Sequence, residues 1–485
     1  IVFCGKISEA CKPCRVKRRK CNLVRPMCSS CINLGITCHG YRDTKSLAVR
    51  DQTTMVIQKE QKRRIPNRTL QKAVGEHKTS DIVNDLATSY FMMLFSPSSA
   101  FHYLPKHWGD LVKEGSPLEL SMQALSLAAL SLDCKQPGMR IAARSCYTQA
   151  LLLTNNALSS VNNTTLDYTL LSVLLLSAFE GVMFGEQRSA TNWTAHIQGT
   201  TTLLTLRGKK QLDSPLGIHL FLHAATNIRT SCAQRSTPVP LALIRLQEYA
   251  STVLNKSTLS HQLGPILDRF VAIKARLYTL TRVECIVQSF DLDNELAHLM
   301  DQLFLTSPYS IVKQGSEQTD DAWGSYNKPR HQYCSSLDTR RWNVLRMLRL
   351  FVNDWVCHAY ACLADGDEPE QRDSRWERWR GLPDTAALSI VRIIDDIISS
   401  VPSSLEVSGA PLAHSVRFLI WPLLSIGSLE SAPASVRLDA ISILEVLSNR
   451  YDEPLAAEAA SILETEGSIE EWFRIPADCV LLVSI

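Results

Sequence analysis

From about residue 80 onward, apolar side chains recur every three to four positions, the spacing that gathers them on one face of a helix. Leu118, Leu120, Met122, Leu125 and the run 127–132 predict one such helix, 166–184 a second, and Ile390, Ile394, Ile397 and Val401 a third. Strand-like alternation is scarce, so the expected fold class is mostly α, with a large all-α body. Ser, Thr, Asp and Asn often precede the apolar runs as N-cap candidates, and Gly208, just after Leu203, Leu204 and Leu206, predicts a helix stop. The stretch 365–369, Pro402 and Pro433 are expected to separate later helices. No repeat of fixed period is present.

The first 79 residues carry no such rhythm. Residues 1–72 hold 17 Lys and Arg against 4 Asp and Glu, a net of +13, so the remainder carries −10 and the overall +3 hides a dipolar chain. A small basic head on a mildly acidic body suits gripping a polyanion at one end. With 485 residues, 45% hydrophobic and 20% charged, the chain is long enough for two to four folded units and is not of disordered composition. The longest apolar run, 170–184, has 15 residues and contains Glu180, short of the roughly 18–20 that cross a bilayer, so no membrane span is expected. The first ten residues contain Lys6 and Glu9 with no apolar core, which reads as no secretory signal and an intracellular protein.

Seven of the 15 cysteines lie within the first 38 residues, and in a reducing compartment that clustering argues for metal ligation over disulfides. Six of them, Cys11, Cys14, Cys21, Cys28, Cys31 and Cys38, form two copies of C-x2-C-x6-C. The x2 spacing lets two thiolates pinch one ion at about 2.3 Å, and x6 allows a helical turn and a return before the third. Three ligands per half leave each tetrahedral zinc one short; if two sulfurs are shared, six thiolates close two tetrahedra with a net charge of −2. Lys12, Arg15, Lys17, Arg18, Arg19 and Lys20 supply the compensating cations and favour the thiolate form. Cys11, Cys14, Cys28 and Cys31 alone would make a single four-cysteine zinc module, but that strands Cys21 and Cys38. Cys4 and His39 flank the motif and read as surface residues.

The segment 11–21, with Pro26 in the loop before Cys28, resembles the fungal binuclear zinc-cluster transcription factors. The resemblance implies that Cys11 and Cys28 bridge two Zn2+ ions, with Cys14 and Cys21 completing one site and Cys31 and Cys38 the other. It also implies that the short helix after Cys14 points its C-terminal end into the DNA major groove, where Lys17 and Arg18 read a CGG-type triplet. Arg and Lys suit the O6 and N7 acceptors of guanine, a good bidentate pair giving about 1–3 kcal/mol of discrimination. Arg15, Arg19, Lys20 and Arg25 are assigned to phosphate, where they add affinity but little sequence information.

In the body, Phe101, Leu104, Pro105 and Trp108, and the run from Trp193 through His196 and Gly199 to Gly208, resemble the fungal-specific transcription-factor domain, the regulatory middle region of the same family. His196 on its apolar helix reads as a satisfied core residue and not as a site. The expected organisation is a zinc-cluster DNA-binding domain at 8–42, a basic linker at 43–79, a helical regulatory domain at 80–450 and an acidic-hydrophobic segment at 451–485. The linker, with 59–64 as an import signal, an extension of the phosphate grip or a solvated basic tether, does not sustain the heptads of a coiled coil. The stretch 451–473 holds seven acidic residues and no Lys or Arg; it reads as an activation segment or as a docked surface helix. No enzyme signature such as G-x-S-x-G, H-E-x-x-H or G-x-G-x-x-G is present, and the chain is read as a non-enzyme.

These readings converge on a nuclear, sequence-specific activator of RNA polymerase II genes. Its expected partners are double-stranded DNA, a second copy of the chain and coactivators, and by analogy it controls a fungal secondary-metabolite gene cluster. The alternative is a nonspecific nucleic-acid-binding or zinc-sensing scaffold.

Overall fold

The computed structural model describes residues 10–41, 83–312, 329–364, 381–405 and 412–465, apart from Arg18, 97–98, Val161, 188–189, 255–258, Glu430 and Asp452. It divides into two compact units, residues 1–78 and 79–485. The linker 43–79, the stretch 365–369 and the end of the acidic segment, 466–485, lie outside the described residues.

In the first unit two short helices, α1 (Lys12–Val16) and α2 (Ser29–Ile32), each begin beside a cysteine of the repeated motif. The second unit is helical almost throughout. After the helical residues 83–96 come α3 (Pro117–Asp133), α4 (Pro137–Leu158), α5 (Asp167–Gln187), α6 (Ala190–Arg207), α7 (Pro215–Gln234), α8 (Leu241–Val253), α9 (Leu259–Ala275) and α10 (Arg282–Thr306). A β-hairpin follows, then α11 (Ser336–Ala364), α12 (Leu382–Leu405), α13 (Leu412–Gly427), α14 (Ala434–Tyr451) and α15 (Pro454–Glu464). No helix among the described residues is long and apolar enough to cross a membrane.

Local chemistry sets the helix ends. Pro117 and Pro215 occupy first-turn positions that have no intrahelical N–H bond to lose. Ser116 accepts from the Glu119 N–H at 3.2 Å, and Ser214 from the Gly217 N–H at 3.0 Å. At Gly217 a Cβ would lie 2.1 Å from the Gln211 carbonyl oxygen, so only glycine fits. Gly208 follows α6 with φ +56°, the left-handed turn that the sequence predicts there as a stop.

Two apolar cores hold this unit together. The first gathers Phe91, Phe101, Leu125, Leu174, Phe221 and Leu296 from the elements up to α10. The second gathers Ile394, Ile397, Leu423, Leu444 and Leu463 from α12–α15. Helix α11 serves both, sending Leu345, Val352 and Trp355 to the first and Met347 and Leu350 to the second. At about 1.5–3 kcal/mol per fully buried aliphatic side chain, this two-sided burial fixes α11 firmly.

The mostly α reading holds, with one addition and one correction. The body contains a strand pair the apolar rhythm does not reveal: β1 (Tyr309–Val312) runs antiparallel to β2 (Arg330–Tyr333), with Tyr309 opposite Tyr333. The hairpin covers Arg346, fully buried in α11, whose guanidinium donates to the Tyr333 hydroxyl at 2.6 Å and lies 5.3 Å from the Tyr309 ring. Four-residue strands serving one buried cation leave no long alternation to read. Pro402 does not separate helices; it lies inside α12, in the last turn, where it forfeits one hydrogen bond and only three helical residues follow it. In the acidic segment, α15 is docked by Leu455, Ala459, Ile462 and Leu463, all buried in the second core.

Candidate metal centre

The duplicated cysteine motif folds as a duplicated backbone. In each half the first cysteine precedes a short helix, the second sits within it, and the third returns on an irregular segment. The correspondence extends to hydrogen bonds: the Arg19 N–H donates to the Cys14 carbonyl at 2.9 Å, and the Ile36 N–H to the Cys31 carbonyl at 3.1 Å, the same step of five residues in each copy.

This brings all six thiols together. Cys11, Cys14, Cys21 and Cys28 form one group and Cys11, Cys28, Cys31 and Cys38 a second, the sulfurs of each within 4.8 Å of one another. Cys11 and Cys28 belong to both. The Sγ–Sγ distance is 3.7 Å for Cys11–Cys28, Cys11–Cys31 and Cys14–Cys28. A tetrahedral zinc with Zn–S near 2.3 Å has S–S edges of about 3.8 Å, whereas a disulfide needs about 2.05 Å. The six cysteines are free thiols, and their spacing fits two zinc ions sharing an edge.

Electrostatics makes the same demand. Burial pushes the Cys11, Cys14 and Cys31 thiols up, Cys31 to about 12. At Cys21 burial also pulls upward but is outweighed by backbone hydrogen bonds at Cys11 and Leu23, which bring it to about 7; backbone hydrogen bonds at Cys28 and Gly40 lower Cys38 as well. Six thiolates in one cluster therefore require cations among them, and two Zn2+ supply four positive charges.

The loop between the halves is braced by residues the cysteine pattern does not single out. Asn22 Nδ2 donates to Ser29 Oγ at 2.6 Å while its Oδ1 accepts the Ser29 N–H at 3.1 Å. Ser30 Oγ donates to the Lys20 carbonyl at 3.0 Å, and the Tyr41 hydroxyl to the Val24 carbonyl. The one available signal was position: Asn22 and Ser29 each directly follow a ligand candidate. His39 is exposed and belongs to neither thiol group; Cys4 lies outside the described residues.

Of the residues expected to meet DNA, Lys17 is exposed in the turn that ends α1, Arg19 and Lys20 are exposed on the segment leading to Cys21, and Arg25 is exposed in the loop before Cys28. The backbone of Arg15 lies in α1, but its side chain, and all of Arg18, fall outside the described residues. The segment thus carries at least four accessible cations beside a cluster that would hold a net charge of −2 with two zinc ions and six thiolates.

Comparison with known families agrees with this geometry. Residues 9–47 match the fungal Zn(2)-Cys(6) binuclear cluster domain, and residues 98–238 match the fungal specific transcription factor domain. No curated protein and no solved structure matches the chain.

Proposed function

From a chain that carries both domains of a fungal zinc-cluster transcription factor, we propose a sequence-specific DNA-binding regulator that reads CGG-like half-sites in the nucleus and activates transcription by RNA polymerase II. The observation that carries the reading is the pair of four-thiol groups sharing Cys11 and Cys28 within a basic segment. Two zinc ions held by Cys11, Cys14, Cys21, Cys28, Cys31 and Cys38 would lock the fold around α1. Lys17 and Arg18, which follow α1 in the sequence, are the candidates for guanine O6 and N7; Arg15, Arg19, Lys20 and Arg25 are assigned to phosphate. The helical body supplies regulation and dimerisation, with a fungal secondary-metabolite gene cluster as the proposed target.

Selection of bound sequences from random duplex DNA with the zinc-loaded full chain tests this. CGG triplets should be enriched, and the selected site should bind at least about 10³-fold more tightly than random duplex at physiological salt. Arg18→Ala should relax preference at one base position, while Arg19→Ala should weaken all sequences alike and flatten the salt dependence. No enrichment, with two zinc ions per chain confirmed, would replace this reading by the nonspecific scaffold.

A further inference from the structure

Helices α4, α5 and α6 line an open cavity of about 580 Å³, within the range of small-molecule sites. Its walls are largely apolar, with Leu151 from α4, Val173 and Leu176 from α5, and Leu203 from α6. No Lys, Arg, Asp or Glu lines it. Among its polar lining residues, which also include Tyr147, Asn155, Thr164 and Thr202, two have unused hydrogen-bonding capacity that the chain leaves open.

The first is Thr154, only 3% exposed, whose hydroxyl has no hydrogen-bond partner. Its neighbours show what a helical threonine ordinarily does: Thr148, Thr201 and Thr205 donate to the carbonyl four residues back at 2.8–2.9 Å. A buried hydroxyl without a partner is destabilising, so its retention beside a cavity points to a partner that arrives from outside the chain.

The second is His196. Tyr147, stacked on Phe179 with ring centroids 4.2 Å apart, commits its hydroxyl proton to the Glu180 carboxylate. The Tyr147 oxygen can then only accept from His196 Nε2, 3.4 Å away. Burial lowers the His196 pKa to about 4, so the ring is neutral, and with its proton on Nε2 the Nδ1 lone pair is an acceptor. Thr154 and His196 therefore offer one free hydroxyl and one imidazole acceptor in a largely apolar lining without charged side chains.

We propose that this cavity binds an uncharged, predominantly apolar small molecule bearing a hydroxyl or N–H group, held by Thr154 and His196. The inference does not depend on how the cluster reads DNA, and its test is read separately. A charged ligand would have to leave its counter-charge in water, with no opposite charge in the lining to replace it.

The probe pair is N-phenyl-1-naphthylamine, neutral with one N–H, and 8-anilinonaphthalene-1-sulfonate, the same ring skeleton with an added charge. Both are titrated by fluorescence into the zinc-loaded full chain. The neutral amine should bind saturably at one site per chain, and the sulfonate about tenfold or more weaker. At Gly199, which lines the cavity, an added Cβ meets nothing within 4 Å, so Gly199→Leu fills the space while favouring helix. It should weaken the amine about tenfold or more with unchanged circular dichroism. Thr154→Val removes the hydroxyl at constant volume and should weaken the amine about fivefold while leaving Tm equal or higher, the opposite of what a purely structural threonine would do. Absence of saturable binding, equal affinity for the two probes, or wild-type affinity in a folded Gly199→Leu or Thr154→Val protein would overturn the proposal.

Discussion

The two units are held together by different means. In residues 10–41 the only buried side chains among those described are Cys11, Cys14, Cys28 and Cys31, while Val16, Val24 and Ile32 are each more than half exposed. A unit of this size cannot bury enough apolar surface to offset chain entropy, and sulfur-metal bonding takes the place of a hydrophobic core. The helical body does the reverse, with two apolar cores on either side of α11 and no metal group among its described residues. One unit therefore depends on a ligand and the other on packing, and each should fail independently of the other. All nine tryptophans lie from Trp108 onward, so tryptophan fluorescence reports the body alone and zinc content the cluster alone.

The largest effect should come from the metal. Structural zinc contributes about 10–16 kcal/mol of binding free energy in small domains, so a strong chelator should take the chain from two zinc ions to none and weaken specific DNA binding more than a hundredfold. Cys28→Ser, which removes a thiol common to both groups, should abolish both sites, whereas Cys38→Ser, in one group only, should leave one ion bound. Elemental analysis reads the stoichiometry. In each case the body's fluorescence-monitored Tm should move by no more than about 1 °C, and a body that melted with the cluster would end the contrast between the units.

The converse test is a buried ion pair in the body. Arg417 Nε donates to Glu453 at 2.8 Å and its Nη1 to the Val182 carbonyl at 3.0 Å, tying α13 to the cap of α15 and to α5; Glu453 is 1% exposed. Arg417→Ala leaves that carboxylate buried without its cation and should cost about 3–5 kcal/mol in denaturant unfolding, with two zinc ions still bound. Arg417→Met combined with Glu453→Leu should recover most of the loss, because replacing both charges removes the desolvation penalty as well as the attraction.

The same contrast explains what the sequence could reveal. Ligand spacing is local: six cysteines at fixed offsets state which residues meet, and all six thiols gather as the pattern requires. Helical rhythm is also local, which is why α3, α5 and α12 are legible as elements and Gly208 as a stop. What escapes is whatever a distant partner determines. The hairpin of 309–312 and 330–333 exists around Arg346, and nothing near Tyr309 announces a buried guanidinium at position 346. His196 reads as a satisfied core residue, and what satisfies it, Tyr147 on another helix, is invisible in its own segment, as is the cavity it lines. Asn22, Ser29 and Tyr41 brace the cluster through contacts that cysteine spacing does not encode.

The smallest effect belongs to a local signal. Thr281 and Glu284 form a reciprocal cap at the start of α10: the Thr281 hydroxyl accepts the Glu284 N–H at 3.2 Å, and the Glu284 carboxylate accepts the Thr281 N–H at 3.0 Å. That backbone hydrogen bond, with one from the Thr281 side chain, holds the Glu284 carboxyl below its ordinary range. Thr281→Ala frees the Glu284 N–H, but the turn is exposed and water reaches it, so the cost should be about 1 kcal/mol and not the several expected at Arg417. Urea unfolding should show a lower midpoint at unchanged m-value, with zinc content and the fluorescence of the folded body unaltered. Thr281→Ser, which keeps the accepting oxygen, should restore most of the midpoint; if it does not, the threonine methyl and not the cap is what stabilises this helix start.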